Sequence, residues 1–403
     1  MKRWKKIALV LLGLVILSQL PFAYRRYRLG RLHKAIAQLS SQRVANANQG
    51  DFVEYKGVLH VHSFLGGHST GTFADIIAGA NANQLNFVVM TEHPSKDFDT
   101  AAMTLRGIHA GVLFVNGSEV ATASDDRLLL LPGDETAAAA GKVSTADLLA
   151  TEKTKRALAL VAYPEGFKSW EAPGFDGVEI YNVFTNSKRI NPIVTFFDGL
   201  WSYRSYPDLL FATFYERPAE GLRLWDNQTT KGRRLVATAG NDAHANVGLS
   251  LNDSSGKRIL GIKLDPYERS FGLVRMHVLL PGNKSLDTES LLSALRDGHS
   301  FIGFDLFSDT SGFRFGATNG TQQKIQGDEI ALGNGVRLTV STPVNSRIVL
   351  LKNGTPIAEG SGAASKEFAV TETGVYRVEI YLSQLPQPLA TQPWIISNPI
   401  YVR

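Results

Sequence analysis

Residues 60–68, HVHSFLGGH, place three of the chain's nine histidines within nine positions. Imidazole fills an apolar strand poorly, but its neutral ring is the commonest side-chain ligand for transition metals. Residues two apart on a strand share a face, so His60 and His62 address one point. His68 follows a Gly-Gly turn flexible enough to fold it back over that point. More donors stand at the ends of later apolar runs: Glu92 and His93, then Glu119, then Asp242 with His244. Any one of these alone reads more simply as a cap or a satisfied core histidine. Four segments ending this way together read as a metal site. Imidazole with carboxylate suits zinc, manganese or iron better than magnesium or calcium. The candidate set of His60, His62, His68, His93, Glu119, Asp242 and His244, five histidines and two carboxylates, is enough for more than one ion. His33, His109, His277 and His299 stay unassigned; His109 is expected on a helical segment and His277 inside a strand, both structural.

These donors need a frame. Short apolar runs at 57–61, 86–90, 111–117, 158–163, 177–182 and 234–240 alternate with segments at 72–83, 100–110 and 144–157 whose apolar residues recur three and four apart. Alternating strands and helices over about 250 residues predict a parallel α/β architecture whose length suits a barrel. The donors then sit at the C-terminal ends of strands, where barrel active sites are built. Residues 287–304 read as a closing helix and strand. After about Thr318 the helical period stops, and short alternating strands with a Lys352-Asn353-Gly354 hairpin signal predict a small β-sandwich. The expected units are a transmembrane anchor at 1–24, a basic helical connector at 25–50, a metal-binding barrel at 51–315 and the sandwich at 316–403.

Charge is unevenly spread. Ten of the 42 Lys and Arg, and none of the 37 Asp and Glu, fall in residues 1–50, which leaves the remainder net acidic by five. The basic tail therefore argues for anionic lipid headgroups and against a nucleic-acid-binding body. Ile7 to Tyr24 is an 18-residue stretch without charge, which at a rise of roughly 1.5 Å per residue just crosses a bilayer core. A signal peptide is the competing reading. The following PFAYRRYR offers no small-residue cleavage pair, so an uncleaved single span with an extracytoplasmic body is favoured. Basic residues flank both ends, so the positive-inside rule barely discriminates orientation. Leu29, Leu32, Ile36 and Leu39 recur at helical spacing within the connector. The absence of cysteine excludes disulfides, thiolate metal sites and thiol catalysis.

At these positions the chain resembles the polymerase and histidinol phosphatase (PHP) family. The resemblance spans roughly residues 55–310. It rests on HVHS with His68, on Glu92–His93 in TEH, on Glu119 in GSE, and on Asp242 and His244 in NDAH. It implies a distorted seven-stranded β/α barrel, two or three bound metal ions and hydrolysis of phosphate esters. The same seven residues would be ligands, with Glu119 bridging two ions. Two positions depart from the family pattern. Tyr163 stands where a histidine often precedes proline, and Glu179, Tyr181 and Asn182 occupy a segment where a further histidine is expected. One or two ions are therefore expected, not three.

The function expected from this reading is hydrolysis of a phosphate ester by a metal-activated water at the C-terminal mouth of the barrel. Tyr163 and Glu92 are the catalytic candidates, and Lys168, Lys188 and Arg189 the cationic candidates for holding phosphate. The expected substrate is a phosphorylated small molecule or envelope component, met at a membrane and without nucleic acid. The alternative is a non-catalytic, metal-stabilised binding protein at the membrane. A Ser-His-Asp hydrolase fits poorly, since the histidines are too many and wrongly placed, and no phosphate-binding Gly-x-x-x-x-Gly-Lys loop is present.

Overall fold

The computed structural model of the chain describes residues 3–44, 51–188, 191–252 and 258–403. Helix α1 (Arg3–Ser41) runs unbroken through the apolar tail and the basic connector. It is long and apolar enough to cross a membrane, as an anchor or as a signal sequence. Its second half obeys the helical period: Leu29, Leu32 and Leu39 are buried, and Ile36 packs beside them.

The next part of the chain alternates strands and helices. In order come β1 (Phe52–Val61), α2 (Phe73–Ala82), β2 (Phe87–Met90), α3 (Thr100–Met103), β3 (Gly107–His109), β4 (Val112–Val115), β5 (Ser118–Ala121) and β6 (Arg127–Leu131). Then follow α4 (Thr145–Lys155), β7 (Leu158–Ala162), β8 (Gly177–Asn182), α5 (Val183–Ser187), α6 (Pro192–Ser202), α7 (Ala219–Thr230) and β9 (Val236–Ala243). Local chemistry starts the helices where the pattern placed them. Thr72 and Asp75 close a reciprocal capping box on α2, and the Ser144 hydroxyl accepts from the Asp147 amide at the head of α4. Strands β2, β4, β7 and β8 are buried along their whole length, which explains their continuous apolar runs.

The chain continues through a hairpin, β10 (Gly248–Asn252) and β11 (Arg258–Lys263), then α8 (Tyr267–Ser270), β12 (Arg275–Pro281), α9 (Thr288–Arg296) and β13 (Ser300–Gly303). A C-terminal β-rich region completes it: β14 (Arg314–Thr318), β15 (Gln323–Ile325), β16 (Glu329–Ile330), β17 (Val336–Lys352), β18 (Thr355–Val370), β19 (Gly374–Tyr381), β20 (Pro393–Ser397) and β21 (Ile400–Val402). Asn353 and Gly354 both take positive φ, 51° and 79°, and turn β17 into β18 as the Asn-Gly signal predicts.

The result is a mixed α/β fold built on a large, mostly antiparallel sheet; the parallel pairing expected for the first part of the chain is present there but is not the rule for the whole sheet. Parallel pairing joins β1 to β2 and β9, β2 to β4, and β8 to β7 and β9. Strand β6 returns antiparallel between β5 and β7 because only the turn at 122–126 separates it from β5, too short for a crossover. On the other side, β12 pairs antiparallel with β1 and β13, and β13 pairs antiparallel with β20. Backbone hydrogen bonding therefore runs continuously from β1 into the β-rich region. A correction concerns residues 100–110, expected to be helical. The helix stops at Met103, Gly107 takes φ 77°, and His109 ends strand β3 against the Phe114 ring.

Candidate metal centre

The donors from separate segments do converge. His60, His62, Glu119 and Asp242 each offer a ligand atom, all within 4.8 Å of one another, and all four residues are buried. His62, His93 and His244 form a second such group. His62 belongs to both.

Strand geometry explains the convergence. The register of β1 shifts against both neighbours around His60, whose φ is 63°. This bulge re-aims the end of the strand. Asp242 and Tyr163 also take left-handed backbone, with φ of 48° and 51°. Such residues cost roughly 1–3 kcal/mol each and concentrate at functional sites. Opposite them, β9 offers a glycine: a Cβ at Gly240 would lie 2.1 Å from Glu179 Oε2 and 2.9 Å from His60 Cβ.

The spacings fit an ion. His60 Nε2 lies 3.2 Å from Glu119 Oε2 and 3.5 Å from Asp242 Oδ1, and His62 Nε2 lies 3.4 Å from each of the same two oxygens. Ligands at zinc bond lengths in a tetrahedron are about 3.3 Å apart. Both ring nitrogens of His62 and Oδ1 of Asp242 are buried without a hydrogen-bond partner, and buried polar atoms left this way demand a reason. An ion among them supplies it. A buried His/Glu/Asp group that could bind a metal ion is thus present, and the structure leaves the metal's identity open.

Electrostatics favours the ligating forms of His62, His93, Glu119 and Asp242. Burial, reinforced by His60 and His244 and only partly opposed by Asp242, pushes His62 down to about 4. His93 is likewise pushed to about 4, by burial first and by His62 next. Neutral imidazole is the ligating form. Burial would raise the Glu119 and Asp242 carboxyls, yet the surrounding imidazoles hold Glu119 at about 2 and Asp242 well below the carboxylate range. Burial alone would lower His60, but Glu179 and Asp242 hold it well above its ordinary value.

Supporting contacts fix the ligands. Glu179 Oε2 receives His60 Nδ1 at 2.8 Å, the carboxylate–histidine arrangement that orients metal-bound imidazole. Asn182 donates to Glu179 Oε1 and to Asp242 Oδ2, at 2.7 and 3.2 Å. The Tyr163 hydroxyl donates to the same Asp242 oxygen at 2.8 Å. Burial first, then the charges of Asp242, Glu119 and Glu179, raise the Tyr163 phenol far above its ordinary value, so it acts as a donor. His244 Nδ1 lies 2.9 Å from the carbonyl oxygen of Asp242, two residues earlier, which leaves Nε2 to face a ligand.

The remaining predicted residues fall elsewhere. His68 is exposed at the rim, its ring 5.3 Å from that of His93 and outside both groups. The Glu92 carboxylate is buried but accepts from the Ser63 amide and the Thr104 hydroxyl, so it positions the loop after β1. Lys168 pairs with Asp125 at 3.1 Å. Lys188 sits over the Phe184 ring, which itself lies 6.1 Å from His244. Arg189 lies outside the described residues. Sequence reasoning missed Arg127, whose Nη1 is 3.3 Å from Glu119 Oε1, because it missed β6; the RLLLL run was the available signal. It also counted no Gly-x-Ser-x-Gly motif, although Gly67, Ser69 and Gly71 have that spacing. There Ser69 is spent on the fold, donating to the His244 carbonyl and contacting the Tyr267 hydroxyl. A cavity of about 390 Å³ opens beside the cluster, lined in part by Tyr163, Glu165, Glu179, Asn182 and Asn186.

No family model matches this chain, and no curated protein matches it. Among solved structures it is similar to PsfC from Pseudomonas syringae PB-5123. That similarity has 13% identity and a TM-score of 0.40, and covers 62% of this chain and 91% of that one. So distant a likeness carries no argument about activity, and the site's own geometry has to carry it.

Proposed function

We propose that the chain is a metal-dependent phosphoesterase of the PHP type, held at a membrane by the first part of α1. The observation that carries this reading is the buried quartet His60, His62, Glu119 and Asp242, with ligand-edge spacings of 3.2–3.5 Å and unpartnered donor atoms. Strand order supports a distorted (β/α)7 barrel. Neighbours run β1, β2, β4, then β5, β7, β8, β9 and back to β1, seven strands, with β6 inserted antiparallel as an eighth between β5 and β7 and the Glu92–Ser118 bridge linking β2 to β5. The β-rich region at 316–403 then packs as a sandwich beside it.

Bound metal would supply charge stabilisation for a phosphoryl oxygen and a water made nucleophilic near neutral pH. The protein's own groups do the rest. Glu179 and Asn182 hold His60 and Asp242 in place. Tyr163 keeps its proton and fixes the second Asp242 oxygen. Arg127, partly exposed beside Glu119, and Lys188, beside Phe184, are the cations placed to meet a phosphate. The anchor reading is supported by continuity: α1 passes from its exposed apolar half directly into contacts with the body, including Arg25 with Asp198.

Hydrolysis of an aryl phosphate monoester and diester with added Mn²⁺ or Zn²⁺ tests the proposal. Metal-dependent turnover is expected, falling at least about 100-fold in His62→Ala and Asp242→Asn, more than the 10–100-fold typical of groups that only support a ligand. Equal turnover in these variants contradicts it.

A further inference from the structure

Helix α6 is inside out for a helix surrounded by water. Its buried positions include Asp198 and Ser202, whereas Ile193, Phe196 and Leu200 are 69%, 50% and 67% exposed. These three recur at i, i+3 and i+7, so they form one apolar stripe pointing away from the body. A contiguous exposed apolar face marks a partner surface.

The neighbours of α6 identify the partner. The helix lies against α1 at the end of the charge-free run that closes at Tyr24. Trp201 Nε1 donates to Gln19 at 3.0 Å, Phe197 stacks on Phe22 at 4.8 Å, Asp198 receives Arg25, and Arg26 reaches the Trp201 carbonyl and the Ser205 hydroxyl. That end of a bilayer-spanning helix is where hydrocarbon meets headgroups. Cations belong to the same segments: Arg26 is half-buried on Trp201 and Ser205, and Arg28 of α1 and Arg204, just after α6, are exposed. Trp201, 37% exposed, stands at the same level, where indole is enriched.

We infer that the Ile193–Phe196–Leu200 face of α6 seats in the headgroup layer of the membrane that α1 crosses, as an interfacial helix beside the anchor. This rests on reading α1 as an anchor. It bears on the site, because α5 begins directly after Asn182 of the cluster and carries Phe184 beside His244, and α6 follows α5 in the chain.

The chain's lack of cysteine makes the test direct. Full-length Phe196→Cys, Leu200→Cys, Leu12→Cys and Ile357→Cys, each carrying one fluorophore, are reconstituted into vesicles containing anionic lipid. Quenching by shallow nitroxide lipid is then compared with quenching by aqueous iodide. Labels at 196 and 200 are expected to be quenched by the lipid nitroxide at least about twofold more than the label at 357, which meets iodide instead. Lipid quenching at 12 with iodide-only quenching at 196 and 200 overturns the inference while the anchor stands. Protection of 196 and 200 from both quenchers indicates a covering protein or second copy and also overturns it. Iodide-only quenching at 12 removes the anchor reading and this inference with it.

Discussion

Two carboxylates meet opposite nitrogens of the His60 ring, and they do different things. Glu119 stands 3.2 Å from Nε2 on the side of the ligand cluster, while Glu179 stands 2.8 Å from Nδ1 and faces away from it. Glu179→Gln keeps an oxygen for the ring but removes the charge behind it. Zinc affinity measured by chelator competition is expected to fall 10–100-fold, the range for supporting groups, with the far-ultraviolet spectrum unchanged. His60, His62, His93, Glu119, Asp242 and His244 were legible because each closes an apolar run, and pairing of those strands in one sheet brings such ends together. Glu179 was visible only as an unexpected residue in a variant segment. Its role depends on β8 lying beside β9, which local pattern does not contain. Glu92 shows the converse. It ends a strand as the others do, but nothing in its surroundings says that its carboxylate faces Ser63 and Thr104.

Among the elements, β1 carries both the cluster and a second buried charge system on its other half. His277 on β12 is fully buried; its ring lies 2.8 Å from Glu54 on β1, 3.5 Å from Asp305 and 2.8 Å from the Thr310 hydroxyl, with Arg275 and Arg314 pairing those carboxylates. Burial would lower His277, yet Asp305 and Glu54 raise it to about 9. A folded-state value above the unfolded one stabilises fully below about pH 6.5 and is lost as pH rises through about 9. The loss is on the order of 3 kcal/mol. Denaturant midpoints between pH 6 and 9.5 are expected to decline for the wild type and to flatten over that window in His277→Asn. A parallel decline in both would contradict this account. The helix and strand runs at 72–83, 144–157 and 177–182 and the Asn353-Gly354 turn were legible because caps and turn residues act locally. Strand direction was not, since it is set by connection length and by partners distant in sequence.

At the scale of the whole molecule, the two halves share hydrogen bonds and charge. Strand β13 pairs with β20, and Arg377 on β19, 1% exposed, holds Asp226 of α7 through two hydrogen bonds of 2.8–2.9 Å and Glu379 through one of 2.7 Å. Arg217 closes the network on Glu379. Removing one member of a buried ion network strands its partners and costs about 3–5 kcal/mol. Arg377→Ala is therefore expected to lower the calorimetric melting temperature by several degrees or more while keeping a single transition; two separated transitions in the wild type would show that the halves melt independently. This coupling was hidden in the sequence, where a composition shift near Thr318 marked a boundary that backbone pairing crosses. The central claim remains the metal centre. Calorimetric titration of metal-stripped full-length protein with Zn²⁺ tests it most directly. The account predicts one or two tightly bound ions per chain in the wild type and loss of tight binding in His62→Ala combined with Asp242→Asn. The same binding curve from both proteins would contradict it.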